Sequence, residues 1–432
     1  MGLRAGSKVA LINLGCRVNR VETDTIARGL EEAGCQIVPV AEADAIVVNT
    51  CAVTGEAQTK TRKAVRRAAR LPQHPVVIAT GCAVTLFADE LCLAAPGLVV
   101  EPRKDRVVQR VVQALGLQGT ASENMVVAST PTPTGRTRPG IKIQDGCDLR
   151  CSYCIVWKAR GPSRSLPAAR VVETVREAVC RGAHEVVLTG INLGCYRAQD
   201  GDVIWPGGRL EDLLRLVLAQ TDVDRIRLSS IEPQDVTDGL LQTMADAGER
   251  IAPFLHVCLQ SGCDATLERM CRPYTTGDFA AVVRAARQML PRVALGTDVI
   301  VGFPGETDEE FADSLAFCKK MDFSRMHVFR YSKRPGTPAA TAANQVSAAV
   351  SAQRGDRMRA MAERARIRNM RCCDGTDDLV VVQYEGEAVD SRLFPVRVDA
   401  ALPVGSYVRV RLAWRDGGLV GTIANQGGNP HW

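Results

Sequence analysis

Short apolar runs alternate with stretches of helical period over roughly the first 115 residues. Val9–Leu14, Ala45–Asn49 and Val76–Thr80 are rich in β-branched residues and bounded by Gly or Cys, which predicts buried strands. Between the first two, Glu22–Ala33 carries a helical pattern closed by Gly34. Strands alternating with helices predict an α/β unit built on a doubly wound parallel sheet. A cysteine follows each strand: Cys16, Cys51 and Cys82. The carboxyl ends of the strands form the ligand crevice of an open parallel sheet, so three thiols far apart in sequence are expected at one edge.

Gly119, Ser122, Pro131, Pro133, Pro139 and Gly140 crowd residues 117–140, a linker composition. Six apolar runs follow, separated by helical or polar stretches. They are Ile141–Gln144, Glu185–Gly190, Arg225–Ile231, Phe254–Gln260, Leu295–Gly302 and Arg325–Tyr331. Repeated βα units predict a central partial (β/α)6 barrel with its chemistry at the carboxyl ends of the strands. Residues 354–371 read as a helix with seven Arg against Asp356 and Glu363. The tail changes character: Leu379–Tyr384, Leu393–Val398, Tyr407–Trp414 and Leu419–Ala424 are strand-like, with turns at Glu385-Gly386 and Asp416-Gly417-Gly418. They predict a small C-terminal all-β domain. The expected division is 1–120, 136–366 and 370–432.

Apolar residues make up 46 % of the 432, charged residues 24 % and aromatics 4 %, which excludes a disordered, collagenous or membrane-spanning chain. The stretch Val9–Leu14 is interrupted by Asn13 and is shorter than the apolar core of an export signal. No run of about 18 apolar residues exists, so a cytoplasmic location with no membrane contact is expected. Sixteen cysteines in that reducing compartment are not expected to form disulfides; some should bind metal or react.

Cys147, Cys151 and Cys154 form Cys-x3-Cys-x2-Cys just after the first predicted barrel strand. Structural zinc takes four protein ligands, yet the five His (His74, His184, His256, His327 and His431) are scattered along the chain. An electron-transfer [4Fe–4S] cluster also takes four thiolates. Three thiolates leave one iron open, able to chelate the amine and carboxylate of S-adenosylmethionine; one electron then cleaves its carbon–sulfur bond to an adenosyl radical. The bland alternative is three buried structural cysteines. Cys35, Cys92, Cys180, Cys195, Cys258, Cys263, Cys271, Cys318, Cys372 and Cys373 are expected to be buried apolar filler.

Gln144 through Cys147, Cys151-Ser152-Tyr153-Cys154, Ala159-Arg160-Gly161 and Arg164-Ser165 resemble the radical-SAM methylthiotransferase family. The likeness covers nearly the whole chain: Leu14 through Asn19 (LGCRVN), Asn49-Thr50-Cys51, Thr80-Gly81-Cys82, Leu188 through Asn192, Ser229 through Pro233, Leu259 through Gly262 and Asp298 through Glu306. His327 through Arg334 (HVFRYSKR) is similar to the branch that acts on threonylcarbamoyladenosine at position 37 of tRNA.

The resemblance implies that Cys147, Cys151 and Cys154 hold the radical-SAM cluster. Tyr153 would lie near the adenine of S-adenosylmethionine. Thr189, Gly190 and Asn192 would meet the methionine moiety; Ser230, Glu232 and Gln260 would line the ribose and methionine side; Ile300 and Gly302 would flank the adenine. Cys16, Cys51 and Cys82 would hold a second [4Fe–4S] cluster with an open iron for the inserted sulfur, the alternative being structural zinc. The implied partners are a tRNA anticodon loop, a flavodoxin- or ferredoxin-like electron donor and a sulfur donor.

Net charge is +6, from 54 Lys and Arg against 48 Asp and Glu, a bias too small to name a partner. Its distribution is uneven. Lys60, Arg62, Lys63, Arg66, Arg67 and Arg70 fall on a predicted helix just after Cys51, a face suited to phosphates or simply a solvated basic helix. The terminal β module sits where the family usually carries an RNA-binding TRAM domain. Residues 372–432 hold five Arg, no Lys and eight acids, a net of −3, so a strong grip on RNA is not expected. Its aromatics Tyr384, Phe394, Tyr407, Trp414 and Trp432 could stack bases, with core packing expected for most. Other targets within the family are isopentenyladenosine in tRNA and an aspartate of a small-subunit ribosomal protein. The contrasting class is a non-catalytic iron–sulfur protein that binds RNA or senses redox state.

Overall fold

A computed structural model describes residues 6–117, 135–200, 203–204 and 208–423. Most of the predicted linker and Trp432 lie outside them.

The N-terminal sheet is wholly parallel, in the order Gln36–Ile37, Lys8–Asn13, Ala45–Thr50, Val76–Gly81, Val99–Val100. Its strands are apolar at consecutive positions because both faces are covered. Val9, Ala45, Val47 and Ile78 pack on one side with Ile26, Leu30 and Val111; Ala10, Ile46, Val48 and Val77 pack on the other with Val65 and Ala68. The first helix is Arg17–Glu32, longer at its start than the sequence pattern indicates. Cys16 is its N-cap and makes no capping hydrogen bond with its side chain, so the usual sequence mark of a helix start is missing.

All six predicted central runs contain strands: Gly140–Lys142, Glu185–Thr189, Arg225–Leu228 continuing to Ser230–Ile231, Phe254–Val257, Ala294–Val301 and Arg325–Arg330. Every pairing among them is parallel. Ile141, Val186, Leu188, Ile226, Leu228, Leu255, Val257, Leu295, Val299 and Val301 pack outward in one core with the surrounding helices. Alternation along a strand therefore turns Glu185, Arg225, Arg227, His256, Asp298 and His327 into the lumen.

At the barrel's base, Glu185 is fully buried between Arg225 (2.6 Å), Arg227 (2.7 Å) and Arg138 (3.4 Å). These charges hold its carboxyl well below the usual range despite the opposing effect of burial. The same arginines reach the tail: Arg225 Nη1 donates to Leu379 O and Arg227 Nη1 to Ser391 O, both at 2.9 Å. The tail is a closed barrel in the order Asp377–Tyr384, Glu387–Val389, Pro395–Arg397, Gly418–Ile423, Tyr407–Arg415. Its core holds Val380, Val382, Val396, Val410 and Leu412. Glu387–Val389, only three residues long, had no readable period in the sequence.

Candidate active site

Three strand ends deliver the N-terminal thiols. Cys16 caps the helix Arg17–Glu32, Cys51 follows Ala45–Thr50 directly, and Cys82 opens the helix Cys82–Ala94 after Val76–Gly81. Two glycines permit the approach. A Cβ on Gly15, whose φ is +135°, would stand 2.8 Å from Cys51 Cβ; one on Gly81, at φ +97°, would stand 2.5 Å from Thr50 O. Asn19 Nδ2 ties the turn by donating to Leu14 O (3.1 Å) and Thr50 O (2.9 Å), and its Oδ1 lies 3.7 Å from Cys16 Sγ. Burial pushes the Cys51 and Cys82 thiols up, with each also feeling Cys16; Arg160 pulls both back down.

Arg160 comes from the central unit. Its guanidinium donates to Glu22 Oε1 (2.7 Å), Asp145 Oδ1 (3.0 Å) and Asn19 Oδ1 (2.6 Å), and its charge acts on the Cys82 thiol. Lys142 joins at 2.9 Å from Glu22 and 3.2 Å from Asp145, and Lys104 pairs with Glu22. Burial opposes ionisation of Asp145, but Lys142, Arg160 and the Gly146 N–H outweigh it and hold the carboxyl well below its ordinary range. A cavity of about 330 Å³ opens here, with Cys82, Glu22, Lys142, Asp145 and Arg160 on its wall.

The second trio lies on one loop, between the short strand Gln144–Asp145 and the helix Val156–Arg160. Gly146 (φ +73°) makes the turn, where a Cβ would collide with Pro162 O. Cys151 Sγ receives a hydrogen bond from Arg272 Nη1 (3.0 Å), Cys154 Sγ one from the Val156 N–H (3.4 Å), and Cys147 Sγ lies 3.9 Å from Asn192 Nδ2. Burial pushes Cys154 up to about 11 and raises Cys147. Each of the three sulfurs faces an N–H donor, which offsets part of the burial and suits thiolates once a cation binds them, the form in which thiols hold metal. The helix opened by Cys82 packs against the helix Val156–Arg160, which follows the loop of the second trio.

Comparison with known proteins agrees with this architecture. Residues 141–318 match the radical SAM superfamily and residues 8–100 the uncharacterized protein family UPF0004. The threonylcarbamoyladenosine tRNA methylthiotransferase MtaB of Thermotoga maritima is 34 % identical over 87 % of this chain and 86 % of its own length. The Bacillus subtilis protein of that name is 37 % identical over 82 % and 80 %. The chain belongs to the radical-SAM methylthiotransferase family. Methylthiotransferases named for dimethylallyladenosine in tRNA and for ribosomal protein uS12 also match, at 32 % and 33 % identity. Among solved structures, the radical S-adenosylmethionine methyltransferase TsrM of Kitasatospora setae shares the fold, with TM-score 0.54 and 18 % identity over 78 % of this chain and 77 % of that one.

A radical-SAM methylthiotransferase implies a [4Fe–4S] cluster and S-adenosylmethionine. The donor set around Cys147, Cys151 and Cys154 fits that group. The other residues expected at the cofactor have the following surroundings. Tyr153 and Ile300 pack on one apolar cluster with Met270, Phe303 and Ala339. Thr189 and Asn192 are buried beside the loop; Asn192 N donates to Gln144 Oε1 at 2.8 Å, and a side chain on Gly190 would strike that same oxygen. Glu232 pairs with Arg272, and Ser230 stands in register with His256 on the neighbouring strand. Gln260 adopts φ +64°, with its N donating to Asp298 O and its O accepting from Ile300 N, both at 2.8 Å. Gly302 serves packing as well: a Cβ there would stand 2.5 Å from Ser351 Oγ of the helix Ala348–Arg371.

Arg160, Arg272 and the lumen trio His256–Asp298–His327 were not anticipated as site residues. Asp298 Oδ1 lies 3.0 Å from both His256 Nε2 and His327 Nδ1. Arg160 stands inside a quoted motif but carries no mark of its role; the lumen trio was available from strand alternation. Two expectations need correction. Cys92, Cys180, Cys271 and Cys372 are exposed and Cys195 half-buried, so the filler reading holds only for Cys35, Cys258, Cys263, Cys318 and Cys373. Arg62 leaves the basic face to pair with Glu90 at 2.5 Å, while Lys63, Arg66, Arg67 and Arg70 stay exposed. In the Arg-rich helix, Arg354, Arg359, Arg366 and Arg368 are taken by Glu306, Asp356, Glu363 and Asp322. Of the tail aromatics, Phe394 is buried and Tyr407 stacks on His184, but Tyr384 is 69 % exposed.

Proposed function

We propose that this protein performs the S-adenosylmethionine-dependent radical 2-methylthiolation of N6-threonylcarbamoyladenosine at position 37 of tRNA. The observation that carries the reading is the seam at Arg160, where the unit that carries one thiol trio docks on the unit that carries the other. Cys147, Cys151 and Cys154 hold the radical-SAM [4Fe–4S] cluster, and Cys16, Cys51 and Cys82 hold a second [4Fe–4S] cluster. Bound there, the two clusters supply the adenosyl radical that opens the C2–H position and the site from which sulfur is delivered. The rest falls to the protein. Tyr153, Ile300 and Gly302 bind the adenine of S-adenosylmethionine, Thr189, Gly190 and Asn192 the methionine moiety, and Ser230, Glu232 and Gln260 the ribose and methionine side. Arg272 orients both Cys151 and Glu232, and Arg160 keeps the distal trio facing the barrel.

Units 1–120, 136–366 and 370–432 divide the work: sulfur site, radical site and a small β domain at the base. An anticodon loop suits the lumen, because its unpaired bases enter a pocket without melting a duplex. The exposed Lys63, Arg66, Arg67 and Arg70 suit its phosphates. An electron donor of flavodoxin or ferredoxin type and a sulfur donor complete the cycle. Among the described residues no helix is long and apolar enough to cross a membrane. Mass spectrometry of tRNA nucleosides from a strain lacking the gene tests the reading. Loss of 2-methylthio-N6-threonylcarbamoyladenosine, and its return when the gene is restored, is expected; an unchanged profile refutes the tRNA target.

A further inference from the structure

Arg325–Arg330, the last strand of the central barrel, has two unlike faces. Met326 and Val328 pack against the outer core, so Arg325, His327 and Phe329 turn inward, with Phe329 nearest the carboxyl end. Its ring meets that of His327 in a T-shaped contact, centroids 6.4 Å apart, which occupies at most one face of the phenyl group. On the neighbouring strand it is in register with Ile300, which packs with Tyr153, Met270 and Phe303 beside the loop of the Cys147 trio. Beyond it the chain crosses toward the other trio. Ser332 Oγ accepts the Gly55 N–H at 2.8 Å and Arg334 donates to Gln58, both on the helix Gly55–Ala69 that follows Cys51. Phe329 thus stands on the segment that links the unit of one trio to the unit of the other. Of the nine phenylalanines it alone is exposed, at 43 %, and Arg330 and Lys333, also exposed, lie just beyond it in the chain. A ring left in water forgoes the burial that its counterparts gain, and a ligand with an apolar face restores it.

We propose that Phe329 is the platform on which the reacting base stacks. The proposal rests on the tRNA reading above and names the side chain that fixes the plane of that base between the two units. An aromatic ring binds the π-face of a purine whatever its N6 substituent carries. Stacking also suits the reaction. C2 lies on the edge of the base between N1 and N3, so hydrogen bonds to that edge would crowd the atom to be changed. A face-on contact holds the plane and leaves the edge open. Arg330 and Lys333 add the charge that suits a nucleotide's phosphates. An aspartate of a ribosomal protein has no aromatic face to lay on such a ring, which separates the two kinds of target.

Binding of anticodon stem-loops to the full, cluster-loaded chain tests this without any turnover. Stem-loops carrying threonylcarbamoyladenosine or an abasic residue at position 37 share the same phosphates and differ at the base. The native protein should prefer the base by ~10- to 100-fold, the size of one base–aromatic stack. Phe329→Ala should bring that preference close to one while leaving affinity for the abasic stem-loop within about threefold. Phe329→Tyr should keep the preference, and Phe329→Leu, which is apolar without a π-face, should keep only part of it. Arg330→Gln should instead weaken both stem-loops alike and lower the salt dependence by about one phosphate contact. Unchanged thermal midpoints show that the variants fold, as expected for an exposed ring. Equal weakening of both stem-loops by Phe329→Ala would mean that the ring meets another nucleotide, and the proposal fails. If the native protein prefers the base and Phe329→Ala keeps that preference, the base is held elsewhere, and the proposal fails while the substrate stands. If the native protein binds neither stem-loop more tightly than an unrelated hairpin of equal length, the tRNA reading falls with it.

Discussion

Cys147, Cys151 and Cys154 lie on a single loop, and the N–H donors at Cys147 and Cys151 come from Asn192 and Arg272 of the same barrel. Cys16, Cys51 and Cys82 come from the ends of three strands, and the guanidinium at Cys82 belongs to a different unit. The first trio is a local device: one glycine turn and one short helix set its spacing. The second is a tertiary device, formed only when a sheet has folded and the barrel has docked on it. A lesion in the loop should therefore remove one function cleanly, whereas lesions along the seam should damage the second trio and spare the first.

The largest effects come from the thiols. Cys147→Ala, Cys151→Ala or Cys154→Ala should reduce 5′-deoxyadenosine formation to background while the N-terminal trio still takes up iron, read by iron content and product chromatography. Retained cleavage in any of them breaks the assignment of the radical site. Cys16→Ala, Cys51→Ala or Cys82→Ala should keep cleavage and lose the methylthio product. Methylthio product at the native rate would show that sulfur is delivered from elsewhere.

Arg160→Met sharpens the contrast, because it touches no residue of the loop trio and removes the cation between Glu22, Asp145 and Cys82. Breaking a buried pair in this way costs about 3–5 kcal/mol. Lys142 and Lys104 still face Glu22, so a value near the lower end is expected in denaturant titration. Iron at the distal trio should fall while iron at the loop trio is unchanged. Equal loss at both would mean that the seam supports the whole protein and that the trios are not independent. Arg160→Lys keeps the charge without the fork and should fall between.

The same division explains what could be read in the sequence. The loop trio was legible because its spacing is its geometry. The distal thiols were legible as strand ends, since Val9–Leu14, Ala45–Asn49 and Val76–Thr80 announce themselves by apolar runs. Arg160 and Arg272 were not, because an arginine becomes a thiol's partner only by tertiary proximity: Arg272 reaches Cys151 across 121 residues. Gln36–Ile37 and Val99–Val100 are too short to show a period, although they are the edges of the N-terminal sheet. Exposed Cys92 and Cys180 broke the filler expectation because burial of a small thiol is decided by neighbours, not by its own chemistry.

The smallest expected effect is a pH test that tells the seam serving the distal trio from the one sealing the barrel's base. Asp145, at the first seam, is held well below its ordinary range, so the stability it contributes is fully present above pH ~4 and is lost only as pH falls below that. Asp390, in the terminal barrel, is pushed the other way, up to about 6, by burial and by the Asp378 carboxylate. A carboxyl raised in the folded state favours folding while it is protonated. Its contribution is present below pH ~4 and is lost as pH rises through about 6, for at most ~2–3 kcal/mol. Hydrogen exchange should therefore find the terminal barrel better protected at pH 5 than at pH 7, after correction for the intrinsic rates, with the N-terminal sheet indifferent over that window. Asp390→Asn, which keeps an acceptor for the Phe394 N–H, should flatten the dependence in the terminal barrel alone. A parallel change in both regions would mean that the two seams open together, and the separation between a locally built and a tertiary-built site would have no counterpart in stability.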